Sequence, residues 1–221
     1  MTAPGVLFLV VLLLSVMAGG AGLIRTRPAA EPGCGVAANE RITSLTGAIL
    51  LVLAIGIGVT VLRIGDLLPE HYLIGFLMLG PLTLKLGSTG YRFVRYYSGD
   101  VAYRLAGPTH IVLRMSAPLL IAASIAVFAT GIELWLFGYR FGTWWFQAHV
   151  VSFLVWTAFL GIHLLGYTRR SAKAVADEVA LSLGGAGTRR GLIIASLGVG
   201  ALLAAASLLY DSPFHLLSGS D

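Results

Sequence analysis

Runs of about 20 apolar residues, broken by short polar segments, recur along this chain, and each run is long enough to cross a bilayer as a helix. Hydrocarbon offers no water to an open backbone, so such runs must pair their amides internally and fold as helices. Composition agrees: 57% of the 221 residues are hydrophobic and 11% are charged, against about 25% charged in an ordinary soluble domain. The expectation is an all-α, polytopic transmembrane bundle of six spans, at 4–24, 43–63, 71–95, 109–137, 145–167 and 191–210. The first run is not read as a cleaved signal. No Lys or Arg precedes it, and Arg25 and Arg27 follow it instead.

The net charge of +5 does not point to nucleic acid, because the basic residues cluster at the ends of apolar runs. Eleven of them (Arg25, Arg27, Arg41, Arg92, Arg95, Arg104, Arg169, Arg170, Lys173, Arg189 and Arg190) fall on one side of the six-span topology, and Arg63 and Arg140 fall on the other. The positive-inside rule makes the first side cytoplasmic and puts both termini outside. The single cysteine, Cys34, excludes an intramolecular disulfide and falls in a cytoplasmic loop. Pro81 and Pro118 lie within spans and are expected to kink them. The connector at 171–189 reads as a short amphipathic helix ended by glycines. No soluble catalytic domain fits between the spans.

Polar groups inside spans are costly and suggest function. His149 and His163 share one span, fourteen residues apart. At 100° per residue they lie within about 40° of one face and about 21 Å apart along the axis. His71 begins the third span, level with His149, and on its face follow Gly75, Met78, Leu82 and Lys85, the last level with His163. His110 opens the next span at the cytoplasmic side, with Arg114 one turn deeper. Two imidazoles at one depth on different helices can hold an iron porphyrin from both faces. Gly75, Gly131 and Gly161 offer the small side chains that a flat ring needs, and Lys85, Arg92 and Arg114 offer cations for propionates. Against this, a lone intramembrane histidine such as His110 more often bonds a neighbouring helix. Met78 and Trp156 read as packing, Glu133 as a carboxylate that snorkels to the interface rather than a proton relay to quinone, and His215 as solvated.

The stretch HVVSFLVWTAFLGIHLLGY, with its two histidines fourteen apart and a third on a neighbouring helix, resembles bacterial cytochrome b561 and the b-type cytochrome membrane subunits of formate dehydrogenases and hydrogenases. The resemblance covers roughly 43–167. It implies a central four-helix, haem-binding core there, flanked by 1–42 with the first span and by 168–221 with the connector, last span and outer tail. It implies haem b, one group or two, in a bacterial plasma membrane. His71 and His149 would hold the outer haem and His163 an inner one. The span 43–63 lacks the histidine that would complete the inner site, which leaves His110, Lys85, a five-coordinate iron or no inner haem. The implied role is electron relay between a quinone and a partner redox protein or respiratory complex, as an electron-transfer subunit rather than a stand-alone enzyme. The competing readings are a haem-free membrane anchor or assembly subunit and, less well supported for want of inverted repeats, a transporter.

Overall fold

The computed structural model describes residues 2–24, 34–106, 110–180 and 185–216. Among them are seven helices and no strand: α1 (Ala3–Ala21), α2 (Cys34–Leu62), α3 (Leu68–Tyr97), α4 (Val101–Leu105), α5 (Ile111–Phe137), α6 (Trp144–Ala180) and α7 (Ala186–Ser207). All but α4 are long and apolar enough to cross a membrane, so the chain is a multi-span membrane protein in contact with the lipid bilayer. Arg25, Arg27 and the side chain of Cys34, on which part of the orientation reading rests, lie outside the described residues, as does 181–184 of the connector.

Two helices outrun their expected spans. α2 starts at Cys34 instead of 43, because its polar first turns find partners on neighbouring helices. The Asn39 amide donates to the Ser88 carbonyl of α3 at 3.0 Å, and Glu40 pairs with Arg170 of α6 at 2.8 Å. α6 runs 37 residues to Ala180. At 1.5 Å per residue that is roughly 55 Å, well beyond a hydrocarbon core of about 30 Å, so its last turns project from the bilayer. The first half of the connector is therefore not a separate amphipathic helix but the continuation of α6. An i,i+4 pair, Lys173 with Asp177 at 2.8 Å, lies on that continuation. Helices α3 and α5 run through Pro81 and Pro118 without ending.

The core combines Phe8 and Leu12 of α1, Ala54 and Ile57 of α2, Met78 of α3, Ala123 of α5, and Phe153, Trp156 and Leu164 of α6. The first helix is thus part of the bundle, not an appendage to a four-helix core. It closes on α6 through glycines: a Cβ on Gly161 would lie 2.9 Å from Val11 Cγ1 and 3.0 Å from Ser15 Oγ. α7 lies against α3 in the same way. A Cβ on Gly80 would overlap the Ser196 carbonyl oxygen, and one on Gly200 the Leu77 carbonyl oxygen. Small residues let backbones touch where lipid gives no hydrophobic drive for helix pairing. The α2–α3 and α5–α6 turns lie together at one end of the bundle, here named the turn end. After α7 the tail folds over the end of α5: the Tyr210 hydroxyl donates to the Leu136 carbonyl at 2.6 Å and the Ser212 hydroxyl to the Trp135 carbonyl at 2.8 Å.

Candidate functional site

His71 lies in the first turn of α3 and His149 in the second turn of α6. Both come to the turn end and face each other across the bundle, their ring centres 6.4 Å apart and their planes at 89°. The two helices that carry neither histidine hold the rings. Thr60 of α2 meets His71 Nδ1 at 2.9 Å, and Thr130 of α5 meets His149 Nδ1 at 3.1 Å. Both threonines are buried. Their hydroxyls also donate to carbonyls of their own helices, Thr60 to Ile57 at 2.8 Å and Thr130 to Ala126 at 2.7 Å.

A cavity of about 230 Å³ adjoins both rings and is open on one side. Its walls are almost wholly apolar, with Met78, Phe153 and Trp156 among them. Trp156 is fixed there by its indole N–H, which donates to Ser124 Oγ at 3.1 Å, and by stacking on Phe8 with ring centres 5.9 Å apart. Both glycines beside the histidines border the cavity. A Cβ on Gly131 would sit 3.0 Å from His149 Cε1, whereas a Cβ on Gly75 would meet nothing within 4 Å. Gly131 therefore makes room for the imidazole, and Gly75 leaves space open beside His71.

The residues expected at the other level are not assembled in this way. His163 stacks on Tyr167 of its own helix with ring centres 4.4 Å apart, and its buried Nδ1 has no hydrogen-bond partner among the described residues. Lys85 donates to the Thr43 carbonyl of α2 at 2.9 Å. His110 does not reach that level. It is exposed and caps α5, its Nδ1 accepting from the Val112 N–H at 3.3 Å. Arg114 is exposed too. It bonds the Tyr97 hydroxyl and lies over the Tyr97 ring at 5.8 Å, so it is engaged at the surface rather than beside Lys85. Glu133 is half-buried, and its two carboxylate oxygens have no hydrogen-bond partner among the described residues. His215 is exposed, as expected. Among the described residues no group of three or more His, Cys, Asp or Glu side chains is placed to hold a metal ion.

Sequence reasoning missed Thr60, Thr130 and Phe8. A signal for the threonines exists: each sits across a helical hairpin from its histidine, at nearly the same distance from the turn. No protein family, curated protein or solved structure matches the chain.

The ring spacing can be compared with what a shared metal would need. A metal–nitrogen bond of about 2.0 Å on each side, with about 1.1 Å from ring nitrogen to ring centre, separates two axial imidazoles by about 6.2 Å. The observed 6.4 Å matches one metal ion shared by both rings. Direct stacking or a hydrogen bond between the rings would not require an adjoining apolar cavity. The enclosed volume alone is smaller than a porphyrin, so the fit rests on the ring spacing, the apolar walls and the free space at Gly75.

Proposed function

We propose that this chain is a b-type cytochrome of a bacterial plasma membrane, with one haem b held between His71 and His149. The observation that carries the reading is the pair itself: two imidazoles from different helices, 6.4 Å apart, with an apolar cavity beside them. Haem b, when bound, supplies a one-electron iron couple. The chain's own residues do the rest. His71 and His149 would hold the iron through their ring nitrogens. Phe153, Trp156 and Met78 keep water from the site and lower its polarity, which bears on potential. Gly75 admits the ring edge and Gly131 admits the His149 imidazole. The site lies at the turn end, which the distribution of basic residues assigns to the outer face, so electrons would be exchanged with a quinone or a partner redox protein from that side of the membrane. His163 and Lys85 have no imidazole partner among the described residues, which favours one haem over two.

The test is spectroscopic. The chain, made in a haem-replete bacterial host and purified in mild detergent, is expected to give a reduced-minus-oxidised spectrum of low-spin haem b. Pyridine haemochrome analysis is expected to give one haem per chain. His71→Ala and His149→Ala should each abolish it, and His163→Ala should leave it unchanged. A well-folded wild-type chain without haem would refute the reading and favour the membrane-anchor alternative.

A further inference from the structure

A threonine hydroxyl has one proton, and at both histidines a backbone carbonyl takes it: Ile57 from Thr60 at 2.8 Å and Ala126 from Thr130 at 2.7 Å. A hydroxyl that donates to its own carbonyl meets an imidazole nitrogen as an acceptor. In that arrangement Nδ1 of His71, at 2.9 Å, and Nδ1 of His149, at 3.1 Å, each carry the ring proton, and at His149 the Val127 backbone, 3.2 Å from Thr130 Oγ1, is a second acceptor. Neutral imidazole has one N–H, so Nε2 of both rings is left with its lone pair. The threonines stand on α2 and α5, on opposite sides of the pair, and the rings they hold are turned 89° to each other.

Resting on the haem reading above, we propose that Thr60 and Thr130 are positioning residues that lock both imidazoles in the Nδ1–H tautomer, free both Nε2 lone pairs for one metal and hold the two ring planes crossed. A partner that accepts from the far ring N–H fixes a ligand's orientation and makes it a stronger electron donor, which favours the ferric state. Ring planes held crossed would, with haem bound, leave the two iron orbitals of π symmetry nearly equal in energy and give a strongly anisotropic low-spin ferric resonance. The hydroxyls thus act on potential and on electronic structure without touching the metal.

The test uses the full chain and four variants, Thr60→Val, Thr130→Val, Thr60→Ser and Thr130→Ser. Valine keeps the shape and removes the acceptor; serine keeps the acceptor. Each valine variant is expected to favour the ferrous state by about tenfold, a rise of about 59 mV for a one-electron couple, and to lose anisotropy in the ferric electron paramagnetic resonance spectrum. The serine variants should stay at wild-type values. Loss of haem from the valine variants with retention in the serine variants would support the same role. Unchanged potential and resonance in both valine variants would overturn it. So would equal haem loss from serine and valine variants, which would make the threonines packing residues. Should the wild-type chain bind no haem, the functional reading fails, and the tautomer is still decided by 15N chemical shifts of His71 and His149 in the haem-free protein. Nδ1–H in both rings upholds the assignment, and Nε2–H in either overturns it.

Discussion

Where α6 projects past the bilayer, its last turns are tied to α7 by an ion pair away from water. Arg189 exposes 2% of its side chain and Glu178 8%, with Arg189 Nη2 donating to Glu178 Oε2 at 2.8 Å and Nε at 3.2 Å. Arg190 shares the same carboxylate at 3.7 Å but is 59% exposed, and it also donates to the Glu178 carbonyl at 3.1 Å. These magnitudes separate the two arginines. Glu178→Ala strands a buried guanidinium without its carboxylate, a change that typically costs about 3–5 kcal/mol. Arg190→Ala removes a solvated contact worth at most about 1 kcal/mol. Replacing both members of the buried pair, as Glu178→Leu with Arg189→Met, restores an uncharged interior and should recover most of the loss. The assay is unfolding in mixed dodecylmaltoside and SDS micelles, followed by tryptophan fluorescence, for the single and double variants. A coupling of at least about 2 kcal/mol between positions 178 and 189 is expected. If Glu178→Ala costs no more than Arg190→Ala, or if the effects at 178 and 189 simply add, the pair does not clamp the helices and the argument fails.

Gly200→Leu should drive α7 from α3, because the obstructing atoms are the Leu77 backbone and cannot rotate away; overpacking of this kind costs about 1–3 kcal/mol or more, and the same micelle titration measures it. Gly131→Ala should leave the fold intact but push the His149 ring by a few tenths of an ångström, since the new methyl would sit 3.0 Å from Cε1; under the proposed haem function, haem content should then fall less than tenfold while the visible spectrum shifts, and an unchanged spectrum would count against close support of the ring. Intact cells treated with a membrane-impermeant thiol reagent should leave Cys34 unlabelled until lysis, and strong labelling beforehand would reverse the assignment of the turn end to the outer face.

The parts of the fold that were legible in the sequence are those set by hydrocarbon. Each apolar run became a helix because an unpaired backbone is not tolerated in lipid. The facing of His71 and His149 followed from the depth at which each span begins. Helix ends were less legible. The extensions of α2 and α6 depend on Glu40 finding Arg170 and Asn39 finding the Ser88 carbonyl, which are tertiary partners that local pattern does not reveal. The place of His110 depends on a similar local detail. Its depth suited the inner level, but a residue at the helix cap turns its ring back to the Val112 N–H. Thr60 and Thr130 went unnoticed because threonine in an apolar helix commonly bonds its own carbonyl and does nothing more. Only the hairpin geometry sets these two beside the imidazoles.

The first and last long helices, α1 and α7, support the helices that carry the two histidines. Gly80 is nine residues from His71 on α3, which at 100° per residue places it on the opposite face. α7 therefore supports α3 on the face opposite the histidine, about 13.5 Å further along the helix, through a crossing in which each backbone fills the space that a methyl would need. α1 does the same for α6, with Val11 and Ser15 against Gly161 and Phe8 stacked on Trp156. The helices that carry the histidines must stay apart where the cavity lies, so they cannot stabilise each other there by direct packing. Close contact on their outer faces, where glycine lets backbones meet, replaces the contact that the cavity removes. A four-helix bundle without α1 and α7 would be free to collapse onto the space between the rings; a six-span bundle keeps the two imidazoles at 6.4 Å.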